Sequence, residues 1–236
     1  MIEHKIIPPF SLEWFIYNII SIITILSIVY IGKNLSIKNK NKLTTAIAVL
    51  FICEFFFMDW YHFYTGVWSV QDSLPLHLCG IMWFVSIYMF LTKKQWAFEM
   101  MLFIGMPGGV HSLLTPELTH GDSLLHKIDF FIGHAGLVLA PFYAICVLNM
   151  WPRKSAWWKS FIKLQVLVLI AILANYLFAS NYMYLSYPPI ANNPLIPPES
   201  SFFGQWPYYI LIFEVAVLLH ALLINLPFSM KSKRDI

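Results

Sequence analysis

Residues 11–31 read SLEWFIYNIISIITILSIVYI, an apolar run interrupted only by Glu13 and a few small polar side chains. At 1.5 Å per residue, about twenty helical residues cross the ~30 Å hydrocarbon core of a bilayer. A cleavable signal peptide would carry positive charge before such a run and small residues after it. Here Lys33, Lys38, Lys40 and Lys42 follow instead. Working outward, runs of spanning length recur at about 43–62, 75–92, 97–114, 128–150, 160–180 and 207–227. The expected fold class is therefore all-α, a polytopic transmembrane helical bundle of about seven spans, forming a single domain over 1–236. Six spans is the nearest alternative. The third and fourth runs are short, and the fourth contains Met106-Pro107-Gly108-Gly109, which predicts a kink or break.

Composition excludes other classes. The chain is 59% apolar and 11% charged, whereas a soluble domain carries charge on about a quarter of its residues. A formal net charge of +3 is too small for a DNA-binding domain, so no nucleic-acid partner is expected. Thirteen of the fifteen basic residues fall on alternate connections: Lys33 to Lys42, Lys93 and Lys94, Arg153 to Lys163, and Lys231 to Arg234. Only Lys5 and Lys127 lie on the other side. The positive-inside rule then sets the amino terminus outside and the carboxyl terminus in the cytoplasm. Cys53, Cys79 and Cys146 sit in apolar surroundings without a CxxC pair. They read as buried thiols, and no disulfide framework is expected.

Polar side chains inside spans are costly, so they mark where function is sought. With this topology, Asp59 and His62 share one face at the outer end of span two, and His77 and Cys79 open span three. His111 closes span four, Asp129 and His134 occupy the outer turns of span five, and Asn175 and Asn181 end span six. Six histidines (62, 77, 111, 120, 126 and 134) thus lie toward the outside, which points to one outward-facing cavity. Amphipathic rings also favour the interface on their own account.

The run Leu74-Pro75-Leu76-His77-Leu78-Cys79-Gly80 carries the most chemistry. Proline suits the first turn of a helix, and the amide end of a helix activates a thiol or steadies a developing anion. Cys79 is a candidate nucleophile, or else a small buried apolar residue. His77 and Cys79 face opposite sides of a helix, so a histidine from another span, such as His134 or His111, would have to serve the thiol. Asp59 could orient a histidine, as a carboxylate does in hydrolases. No HxxH, HxxxH or HExxH spacing is present, so a zinc site would need ligands from several helices, and no metal or cofactor is expected. Glu54, Glu214 and His220 lie deeper, on spans two and seven, with His220 on the inner half. They could relay protons in a transporter or hold helices together. The segment 181–207 is rich in proline and aromatic residues and reads as a lid or an interfacial anchor.

A microbial rhodopsin needs a lysine within its last span, and 207–227 has none. Asp59, the LPLHLC run at 74–79, Met106-Pro107-Gly108-Gly109 with Pro116, and His134 occur in a distinctive order. Asn181-Tyr182-Met183-Tyr184-Leu185 and Trp206-Pro207 complete it. In that order the chain resembles the YwaF-like family of bacterial integral membrane proteins. It is more distantly similar to a eukaryotic membrane acyltransferase group that moves polyunsaturated acyl chains onto ether lysophospholipids. In that group a cysteine directly precedes the histidine of the Pro-x-His element. Leu76 holds that position here, and the nearest thiol is Cys79.

The resemblance implies a multi-pass protein of the bacterial plasma membrane with membrane lipids as partners. The leading expectation is a lipid-modifying enzyme catalysing acyl transfer or lipid hydrolysis. His77 or His134 would be the base, Asp59 would orient it, and Cys79 would be nucleophile or pocket residue. His62, His111, Asn181, Tyr182 and Trp206 would bind substrate. The alternatives are a small proton-coupled transporter or ligand-binding protein using Glu54 and Glu214, and a zinc-dependent lipid hydrolase.

Overall fold

The computed structural model describes residues 4–190, 197–198 and 200–231. Among these, seven helices follow in order: α1 (Leu12–Asn34), α2 (Ile37–Thr65), α3 (Leu78–Thr92), α4 (Gln95–Leu114), α5 (Leu124–Cys146), α6 (Ala156–Phe178) and α7 (Tyr208–Lys231). Six are long and apolar enough to cross a membrane. The seventh, α3, has 15 residues, which at 1.5 Å each falls short of the ~30 Å hydrocarbon core.

Local chemistry sets the helix ends. Ser11 and Ser123 cap α1 and α5 by accepting hydrogen bonds from the Trp14 and His126 amides. Gly66 closes α2 with φ 72° and donates to the His62 and Phe63 carbonyls, a conformation that favours glycine. Helix α2 begins at Ile37, six residues before the expected 43, so Lys38, Lys40 and Lys42 form a charged helical overhang rather than a loop. The expected break in α4 is a π-helical turn at Met101–Gly105, where the Met106 amide donates to the Met101 carbonyl. Pro107 follows at once in the next turn. The wider turn accommodates a residue that has no amide hydrogen, so the helix continues without breaking.

Helix α5 lies at the centre, packed on α1, α3 and α4. Its Gly136 abuts Trp83, which stacks on Phe51 of α2 with ring centroids 3.9 Å apart. The long outward faces of α1, α6 and α7 present Ile, Leu and Val. Exposed apolar surface on this scale requires a partner that is not water. Cys53 on α2 and Cys146 at the end of α5 are exposed rather than buried, and all three thiols are free.

The two ends of the bundle differ. At one end Lys93 donates to Asn41 at 2.6 Å, and Arg153 grips the buried Glu99 at 2.9 and 2.7 Å. The other end gathers the histidines, and the strands β1 (Lys5–Ile6) and β2 (Glu117–Leu118) pair there antiparallel. The basic residues Lys233 and Arg234, and residues 191–196 and 199 of the expected lid, lie outside the described residues.

Candidate functional site

A cavity of about 500 Å³ opens among α2, α3, α4, α5, α6 and α7 at the histidine end, and the segment 183–189 borders it. Cys79 lies in the first turn of α3, whose N-cap residue is His77. The His77 side chain does not cap the helix, and the Ile81 amide is the one that donates to the His77 carbonyl. The amides at the start of α3 are therefore not used by the helix itself.

Opposite Cys79 stands His134 of α5, its ring within hydrogen-bonding reach of the thiol. His134 Nδ1 donates to the Phe130 carbonyl at 2.7 Å, which leaves Nε2 for the sulfur. Ser112 Oγ of α4 lies 3.8 Å from Cys79 Sγ. The close approach of α4 to α5 depends on Gly109, where a Cβ atom would come within 2.8 Å of the His134 carbonyl oxygen. Three helices thus converge on one thiol.

The other sequence-predicted residues divide into two groups. His62 and His111 line the cavity. His111 Nε2 meets His220 Nε2 at 3.1 Å, and His220 Nδ1 donates to the Ala216 carbonyl. His220, expected on the inner half of its span, is level with His111 because α7 runs on to Lys231 and has its midpoint there. Asp59 Oδ1 accepts the Trp68 indole N–H at 2.9 Å, and the group that orients His134 is the Phe130 carbonyl. His77 Nδ1 accepts from the Met183 amide at 3.3 Å, and its ring packs against Tyr182 and Tyr184.

Asn181, Tyr182 and Trp206 serve the loop instead of facing the cavity. Asn181 Oδ1 accepts from the Ser186 and Tyr187 amides. Tyr182 is fully buried and donates its hydroxyl to the Val70 carbonyl at 2.7 Å. Burial pushes that phenol up to about 12, which keeps it a hydrogen-bond donor. Trp206 donates to the Leu185 carbonyl. Tyr184 lines the cavity beside these residues, with its phenol also raised by burial.

Two groupings escaped sequence reading. Ser112 carries no signal of its own beside a thiol so far away in the chain. Glu54 and Asp129 come from α2 and α5, yet their carboxyl groups lie within hydrogen-bonding reach of each other. The Phe130 carbonyl was within reach of inference, since a helical residue lies beside the carbonyl four positions before it.

The model of the TMEM164 family matches residues 9–225. The chain belongs to the TMEM164 family. The match runs from just before α1 almost to the end of α7, so it takes in every wall of the cavity. An uncharacterised protein of Treponema pallidum (strain Nichols) is 28% identical over 165 residues, 68% of this chain and 64% of that protein. The aligned part thus spans slightly less than two thirds of the relative. No solved structure matches. Family membership and six long apolar helices together make this a multi-pass membrane protein.

Proposed function

We propose that this TMEM164 family member transfers acyl chains between membrane lipids through a thioester on Cys79. The observation that carries the reading is the contact of Cys79 with His134, whose other nitrogen is held by the Phe130 carbonyl. His134 Nε2 takes the thiol proton, and the sulfur attacks the carbonyl carbon of a lipid ester. The oxyanion that forms faces the amides at the start of α3, where the helix dipole also favours negative charge. Collapse expels the lysolipid alkoxide, which leaves with the proton from His134. An acceptor hydroxyl then gives its proton to His134 and attacks the thioester, restoring the thiol. Water in place of the acceptor gives hydrolysis.

His62 and His111 belong to the polar part of the substrate cavity in this reading, while Asn181, Tyr182 and Trp206 hold its covering loop. The positive-inside pattern supports an outward-facing cavity and seven crossings, with α3 as the short one, in a bacterial plasma membrane. The likeness to YwaF-like proteins rests on the order of the shared motifs.

The test is mass spectrometry of the purified protein and of its lipids after incubation with mixed phospholipids and lysophospholipids. The wild-type chain should gain one acyl mass on Cys79 and exchange chains between lipids. Cys79→Ala should lose both, and His134→Gln should slow acylation by about 10²–10⁴-fold, the usual worth of a positioned base. Full acyl exchange in a folded Cys79→Ala protein would rule the mechanism out.

A further inference from the structure

The cavity walls carry six carboxyl groups (Glu54, Asp59, Asp72, Glu117, Asp129 and Glu214) and, among the described residues, no lysine or arginine. Thioester chemistry at Cys79 uses none of them. Carboxyl groups in such a number repel an anionic phosphate, yet a phospholipid must bring one in with its ester. Two of the acids, Glu54 and Asp129, reach across from α2 and α5 until their carboxyl groups are within hydrogen-bonding distance.

A second, independent feature lies beside that pair. His62 is 8% exposed, and its Nε2 has no hydrogen-bond partner among the described residues. The ring lines the same cavity. It is held in place by stacking on His120, with centroids 4.1 Å apart, and by His126 at 5.3 Å. Asp129 and Asp59 are the acids that act on it. A buried imidazole nitrogen without a partner costs about 1–3 kcal/mol, so the site is complete only when something hydrogen-bonds to it.

We propose that Glu54 and Asp129 bind a hard divalent cation of the Mg²⁺ or Ca²⁺ kind, with His62 Nε2 accepting a hydrogen bond from one of its waters. The phosphate of the lipid substrate completes the shell. Among the described residues no three His, Cys, Asp or Glu side chains converge tightly enough to hold an ion alone. That disfavours Zn²⁺, which takes three or four protein ligands. It suits a cation that keeps several waters and binds through one or two carboxylates plus a substrate phosphate. The cation would supply the positive charge that the walls lack. The phosphate contact rests on the acyl-transfer reading, whereas the cation site does not.

Mn²⁺ is the probe, titrated into the purified full chain in detergent, without lipid, and followed by electron paramagnetic resonance of the free ion. One Mn²⁺ should bind per chain and be displaced by Mg²⁺ or Ca²⁺. Glu54→Gln and Asp129→Asn should each weaken binding at least tenfold, while Glu214→Gln, at a cavity acid that accepts from Gln165 instead, should leave it unchanged. Should Glu54→Gln fail to fold, Glu54→Asp retains the charge on a shorter arm and should weaken binding measurably. Failure of folded wild-type protein to bind Mn²⁺, or binding by both carboxyl variants as tight as wild type, overturns the site. Adding a lysophospholipid should tighten Mn²⁺ binding several-fold; without tightening, the bridging phosphate falls and the cation site stands. A protein that binds Mn²⁺ but never carries an acyl group on Cys79 refutes the acyl-transfer reading alone.

Discussion

His120 sits in the connection before α5, its ring nitrogens meeting Ser73 Oγ at 3.1 Å and Thr119 Oγ1 at 3.0 Å. Burial, reinforced by His62 and His126 as potential like charges, pushes it down to about 3. The unfolded chain takes up this proton near pH 6.5, so the folded state is at full strength above that value. It loses about 1.4 kcal/mol per pH unit as the pH falls from 6.5 toward about 3. His4 has the opposite sign. Its hydrogen bond to Glu117 at 2.8 Å raises it, so its contribution is complete below pH 6.5 and fades as the pH rises through its folded value. Thermal unfolding in detergent should therefore show a steep acid limb, and His120→Gln should flatten it. An unaltered acid limb in that variant would mean that other groups dominate. Sequence reading places His120 among the outer histidines but does not show that it is half-buried and stacked on His62, because a residue's place in a connection says nothing about its neighbours from other helices.

Helices α4 and α5 carry the site between them. The Gly109 contact with the His134 carbonyl lets Ser112 and His134 approach the same thiol. Gly109→Ala forces the helices apart or strains them, at about 1–3 kcal/mol, the usual cost of overpacking. It should lower the midpoint of thermal unfolding and also slow acylation of Cys79, which an ordinary surface substitution on α4 would not. The elements themselves were largely legible: each expected run overlaps one helix, because hydrophobicity over about twenty residues is a local property. The misjudged features were those set by partners. Helix α2 extends six residues further toward its basic end, and the proline of α4 is absorbed by a buried π-turn.

For the whole molecule, the two unlike ends bear on orientation. Lys154 and Asp122 are exposed at opposite ends. In a background with all three native cysteines replaced by alanine, Asp122→Cys should react with an impermeant maleimide in intact cells. Lys154→Cys should react only after the membrane is opened. The reverse pattern would place the cavity on the cytoplasmic side. The sequence by itself determined the class of molecule, the helices and the alternation of charge between their ends. These follow from transfer free energies that each segment carries wherever it is placed. Which histidine meets Cys79, the joining of Glu54 to Asp129 and the pairing of His111 with His220 were decided by tertiary structure alone. Each depends on how helices rotate and how closely they approach, and small residues such as Gly109 and Gly136 govern that through packing between distant parts of the chain.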